Sequence, residues 1–183
     1  AGTGTSGSTF GFGIKENNFL GKNIALDTNL RFDDETIKGK FSVVNPNWNF
    51  SDRSLTTSIE SSVTDKMGDY GYETSLTGFS FGSGWEQYDD LYFTPKISVF
   101  HEKLDTNQNA SDKFKKQEGS YFDTDFSYGL LLDKRDRRYQ TTDGYLSKFN
   151  QRVPILSEDY GLYNSYEYTT FNQFKDIVTK ISL

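Results

Sequence analysis

Apolar and polar residues alternate along most of this chain. Between residues 23 and 32 the even positions Ile24, Leu26, Leu30 and Phe32 are apolar, and Asn23, Asp27, Asn29 and Arg31 between them are polar. Residues 36–44 set Ile37, Phe41 and Val43 against Lys38, Lys40 and Ser42, and residues 54–64 set Leu55, Ile59 and Val63 against Thr56, Ser58, Glu60 and Ser62. Phe122, Phe126, Tyr128, Leu130 and Leu132 oppose Asp123, Asp125 and Ser127; Tyr145, Phe149 and Val153 oppose Lys148, Asn150 and Arg152. A period of two sends successive side chains to opposite faces of an extended strand, and no stretch shows helical spacing. Fainter versions cover residues 9–15, 72–81, 91–103, 160–170 and 175–183. The pattern predicts about ten strands, each near the ~10 residues that a tilted strand needs to cross a bilayer. Strands of soluble proteins are commonly shorter, ~5–6 residues.

The connections fall into two alternate sets. Residues 17–22, 45–53, 82–89, 133–144 and 172–174 make one; residues 6–8, 33–35, 65–71, 104–120 and 155–159 make the other. In an antiparallel meander each set lies at one end. The first end then collects Phe19, Trp48, Phe50, Trp85, Tyr88, Tyr139, Phe171 and Phe174, including both tryptophans. Aromatic girdles at a membrane interface produce such clustering. The longest polar connection, 104–120, belongs to the other end, as an extracellular loop should. The predicted fold is all-β: an incomplete antiparallel up-and-down transmembrane β-barrel of about ten strands. A soluble sandwich would alternate too, but has less reason to gather its tryptophans at one end. Pro46 is expected in a turn, Pro154 at the close of a strand, and Pro95 at a bulge or a locally unpaired position.

Composition agrees once it is judged as strand rather than helix. Mean hydropathy is −0.70, and no apolar run approaches the ~20 residues of a spanning helix. A barrel strand needs only every second residue apolar, so polarity on average is no objection. Phenylalanine (16) and tyrosine (12) are abundant among the 183 residues, which favours β structure over disorder. Net charge is −6, without the concentrated basic face that nucleic acid requires. Cysteine is absent, so disulfides and thiolate metal sites are excluded. Ala1 opens directly into Gly and Thr, and an export signal is expected upstream of a chain that reads as a fragment.

Candidate chemistry is sparse. The glycines of residues 2–8 lack the lysine and helix start of a phosphate-binding loop. His101, the one histidine, has no partner histidine and is expected on a strand near an aqueous end. Asp33, Asp34 and Glu35 lack calcium-loop spacing and suit a solvated hairpin tip. Arg135, Asp136, Arg137 and Arg138 form the densest charge cluster. Their structural role is a turn whose ionic hydrogen bonds fix register, with Gly144 supplying a permissive backbone. A functional role would be contact with a neighbouring periplasmic domain or lipoprotein. No enzyme, cofactor or metal site is expected.

Three motifs carry a resemblance. Gly2-Thr3-Gly4-Thr5-Ser6-Gly7, then Phe10 to Ile14 and Asn18-Phe19-Leu20-Gly21, resembles the start of the bacterial surface antigen barrel, the BamA-type family of outer-membrane assembly factors. Asn45-Pro46-Asn47-Trp48 is similar to its next periplasmic turn. Asp133-Lys134-Arg135-Asp136 followed by Thr142-Asp143-Gly144 resembles its Asp-x-Arg-Asp…Pro-Thr-x-Gly signature, with Thr141 where proline is usual. The resemblance implies one barrel domain over residues 1–183, representing the front of a larger barrel whose POTRA domains, luminal Val-Arg-Gly-Phe/Tyr loop and last strands lie outside it. It also implies a bacterial outer-membrane location, with residues 17–22, 45–53, 82–89, 133–144 and 172–174 periplasmic. Residues 33–35, 65–71, 104–120 and 155–159 would be extracellular. The implied partners are outer-membrane lipid, unfolded outer-membrane protein clients and accessory periplasmic lipoproteins. Clients would be folded and inserted by strand addition at a lateral seam, with Gly2, Thr3 and Gly4 on its edge. Alternatives are a related translocation or autotransporter-assembly barrel, a passive porin or adhesin barrel, and a soluble β-sandwich binding module.

Overall fold

The computed structural model describes residues 2–4, 7–157, 161–175 and 177–183. They form eleven strands: β1 (Gly2–Gly4), β2 (Gly7–Phe19), β3 (Ile24–Phe32), β4 (Thr36–Asn45), β5 (Ser54–Lys66), β6 (Tyr72–Tyr88), β7 (Leu91–Thr106), β8 (Gly119–Asp133), β9 (Gly144–Leu156), β10 (Tyr163–Phe174) and β11 (Ile177–Ser182). A short helix, α1 (Asp112–Lys116), lies between β7 and β8, and a 3-10 turn covers Trp48–Phe50. Every strand pairs antiparallel with its sequence neighbours in one sheet ordered β1 to β11. Among the described residues β1 and β11 are each paired on one side, so the sheet is open rather than closed.

Register sorts the alternating residues onto two faces. Ile14, Thr28, Phe41, Ile59, Phe79 and Val99 stand opposite one another across β2 to β7. One residue along, on the other face, run Lys15, Asp27, Ser42, Ser58, Ser80, Ser98 and Asp125. In a water-soluble sheet the first row would be buried. Here Phe79 is 45% and Ile59 51% exposed, whereas Ser98 is 3% and Asp125 8% exposed. The sheet therefore curls towards its polar face and presents its apolar face outwards. The only buried large apolar side chain among the described residues is Leu104. A sandwich needs two apolar faces packed on each other, and that arrangement is absent from the described residues. Inverted burial is what a barrel wall requires when its outside meets lipid tails and its inside meets water.

The outward face also carries a hydrogen-bonded polar row. Tyr128, Gln151 and Asn164 share a row on it across β8, β9 and β10. The Tyr128 hydroxyl donates to Gln151 Oε1 at 3.0 Å, and Gln151 Nε2 donates to Asn164 Oδ1 at 2.7 Å. Mutual hydrogen bonding lowers the cost of amides facing hydrocarbon.

Several predicted boundaries are corrected. Residues 82–88 were expected in a turn but complete β6, and the hairpin closes at residues 89–90, where Asp90 has φ 66°. Gly82 and Gly84 sit in the ladder opposite Thr56 and Ser54. Residues 172–174 likewise belong to β10, pairing Asn172 with Thr179 and Phe174 with Ile177; the connection lies at 175–176, residue 176 being outside the described set. The expected loop 104–120 is shortened from both sides by β7 and β8 and contains α1. It is anchored by Phe114, whose ring stacks on Tyr72 at 4.3 Å. Residues 65 and 66 extend β5, and 155 and 156 extend β9; residues 158 and 159 lie outside the described set, as does residue 6. Pro154 does not close β9. It pairs with Asp125 beside a register shift, where a missing N–H costs little. Pro95 is unpaired only on its β6 side, where the ladder skips from Gly82–Lys96 to Trp85–Phe93 without changing register; on the other side it pairs with Tyr128.

Candidate functional site: the free edge and the first-end turns

Gly2, Thr3 and Gly4 form β1, paired with Thr9, Ser8 and Gly7 of β2. This covers only the start of β2. From Phe10 to the end of β2 no strand pairs on that side among the described residues, while β3 pairs on the other. The outward face of this free stretch carries Phe10, Phe12 and Ile14; the inward face carries Gly11 and Gly13. An unpaired antiparallel edge presents a row of main-chain donors and acceptors, which can take up another extended segment.

Three of the hydrogen-bonded turns at the first end carry motif residues. In the first, Asn18 Oδ1 accepts the Asn23 N–H at 2.8 Å and the Asn18 carbonyl accepts the Gly21 N–H at 3.0 Å. Leu20 and Gly21 both have positive φ, and Phe19 closes β2 opposite Ile24. In the second, Asn45 Oδ1 accepts the Asn47 N–H at 3.1 Å around Pro46, and the Trp48 N–H donates to Arg53 O at 2.7 Å. Arg53 then lies 5.0 Å from the ring centre of Trp85, a cation–π contact.

The third turn, between β8 and β9, is the most tightly bonded. Arg135 grips Asp133 with two parallel bonds, Nε to Oδ1 at 2.7 Å and Nη2 to Oδ2 at 2.8 Å. Asp136 is the hub. It accepts the Thr142 hydroxyl at 2.7 Å and the N–H groups of Thr142 and Asp143 at 3.0 and 3.1 Å. These donors hold its carboxyl well below the usual carboxylate range, the Thr142 hydroxyl contributing most. Lys134 bonds Asp90 at 2.9 Å, tying the turn to the neighbouring hairpin, and this raises its ammonium above the ordinary lysine value. Gly144 closes the turn at φ 98°, where a Cβ would run into the Lys134 carbonyl oxygen.

The Omp85 superfamily domain matches residues 18–182 of the chain. The chain belongs to the Omp85 superfamily. Its fold is similar to a crystal structure of BamA from Haemophilus ducreyi lacking POTRA domains 1-3, with a TM-score of 0.66 at 19% identity over 91% of this chain. The alignment covers 35% of that solved chain, so this Omp85 chain spans about a third of its length. It is thus an incomplete BamA-type barrel wall, in a family of integral β-barrels of the bacterial outer membrane. The structure places the residues singled out in the sequence in two regions: Gly2, Thr3 and Gly4 in the edge strand β1, and Asn18–Gly21, Asn45, Pro46, Asp133, Arg135, Asp136, Thr142 and Gly144 in the first-end turns. His101 lies on β7, its Nε2 2.7 Å from the Ser120 hydroxyl near the second end. Asp33 and Glu35 form a hairpin tip, with Glu35 bonded to Lys66 at 2.7 Å. Sequence reading missed a cluster of cations on the concave face of β3 and β4, because alternation shows which face a residue occupies but not which residues adjoin it across strands.

Proposed function

We propose that this chain forms the seam-side wall of an outer-membrane protein assembly barrel, which folds and inserts client β-barrels by adding their strands to its free edge. The supporting observation is that, among the described residues, β1 pairs with three residues of β2 and no strand pairs with the rest of that edge. Main-chain hydrogen bonding is indifferent to client side chains, which suits a machine with many substrates. The reading is non-enzymatic, since strand addition makes and breaks no covalent bond. In this reading the first-end turns face the periplasm, where the Arg135–Asp136 turn would meet periplasmic domains or accessory lipoproteins. The second-end loops, including α1, face outwards, and the apolar face contacts outer-membrane lipid.

The test places a cysteine at Phe12 in the full-length protein and cysteines along the last strand of a stalled client. Disulfides that form at alternate client positions, in one register, are expected. Equal trapping at Phe79, inside the paired sheet, or no trapping above background, would contradict strand addition.

A further inference from the structure

The concave face of β3 and β4 carries a group of cations that neither the edge nor the turns account for. Arg31 and Lys38 are direct cross-strand partners, and Lys40 follows on the same face of β4. Like charges opposite one another destabilise a strand pair unless something neutralises them. Local neutralisation is thin. Arg31 comes within 4.0 Å of Asp33 and Lys40 within 3.9 Å of Glu60; among the described residues Lys38 has no ion pair. The adjoining stretch of β2 on this face is Gly11 and Gly13, opposite Arg31 and Asn29. Backbone therefore forms part of the floor of a cleft of about 920 Å³. Further round the same face the sign reverses. Glu102, Asp123 and Asp125 line a separate cavity of about 320 Å³, with Arg152 3.6 Å from Asp125.

We propose that the Arg31–Lys38–Lys40 cleft holds an extended acidic segment of a client polypeptide. That the segment comes from a client rests on the assembly reading; the preference for carboxylates over neutral side chains does not. The glycine floor lets a second backbone approach closely. Alternate carboxylates of an extended segment would meet the three cations, and the Glu102–Asp123–Asp125 wall would repel them. The segment is thereby confined to the side of the lumen next to the free edge.

The test uses the full-length protein in detergent micelles and a short fluorescent peptide alternating Asp with Thr, beside a twin alternating Asn with Thr. Anisotropy should show the acidic peptide binding roughly tenfold more tightly at low salt, with the preference fading as salt rises. Lys38→Gln with Lys40→Gln should abolish the preference, and Lys38→Gln alone, which removes no ion pair, should reduce it. A photo-crosslinker at Ser62, in the cleft, should capture the acidic peptide more than one at Phe100, beside the acidic wall. Equal affinity for the two peptides, an unchanged preference in a folded Lys38→Gln variant, or capture at Phe100 matching Ser62 would overturn the proposal. Should the acidic preference hold while clients fail to assemble, the cleft stands and the assembly reading falls.

Discussion

Gly144→Ala is expected to unlock the turn between β8 and β9. At φ 98° an alanine sits in backbone space that L-residues avoid, costing ~1–3 kcal/mol. Its Cβ also meets the Lys134 carbonyl oxygen, so the chain must move. That movement pulls on the Lys134 N–H to Tyr145 O bond at 2.9 Å and the Asp136 N–H to Asp143 O bond at 3.1 Å. Each is worth ~0.5–1.5 kcal/mol. Stiffening of the unfolded chain returns ~0.4–1 kcal/mol. The net loss is about 3 kcal/mol, which lowers a urea midpoint by ~1–3 M for an ordinary m-value. The assay is urea unfolding of the full-length barrel in micelles, followed by heat-modifiable migration. Gly21→Ala is the comparison: its φ is 68° and open space surrounds the added methyl, so it should cost only ~1 kcal/mol. A loss below ~0.5 kcal/mol for Gly144→Ala, or a larger loss for Gly21→Ala, would refute the steric reasoning.

Other consequences follow from the same geometry. Phe81→Arg, on the outward face near the middle of β6, should destabilise the membrane-inserted barrel by ~2–4 kcal/mol, while Ser80→Arg on the inward face should cost little; equal losses in a bilayer folding titration would contradict the assignment of faces. Gln151→Leu leaves Tyr128 and Asn164 without their shared partner and should cost ~1–2 kcal/mol, whereas combining it with Tyr128→Phe and Asn164→Leu should recover most of that loss by the same titration. Because the Asp136 carboxyl is held below its unfolded value, its contribution is complete above about pH 4 and is lost only as pH falls through the depressed folded value. The N–H protons of Thr142 and Asp143 should therefore keep their chemical shifts from pH 7 down to about 4, and a transition centred above that would show the network is not formed.

The fold was legible because lipid outside and water inside impose one pattern on every strand, and Ile24 to Phe32 and Phe122 to Leu132 display it plainly. Turn positions were legible where a side chain enforces them, as Asp33 does by accepting the Glu35 N–H at 3.2 Å. They were misjudged inside paired strands, at residues 82–88 and 172–174. Gly82 and Gly84 line the concave wall and Asn172 pairs in the β10–β11 ladder, and composition alone does not distinguish such positions from a turn. Helix α1 escaped notice because five residues, DKFKK, carry too little periodicity. The motif turns could be located from sequence, but not the role of Asp136 as hub, which depends on donors six and seven residues away. The Arg31–Lys38 juxtaposition was out of reach because it is set by the β3–β4 register.

The central claim is that the apolar face of this sheet meets lipid and the polar face meets water. Nitroxide labels scanned along β6 in the full-length protein, reconstituted in bilayers, test it directly. Collision with oxygen, which concentrates in lipid, should peak at positions 77, 79 and 81; collision with a water-soluble nickel chelate should peak at 78, 80 and 82. Matching profiles for both reagents, or maxima exchanged between the two sets, would contradict the account.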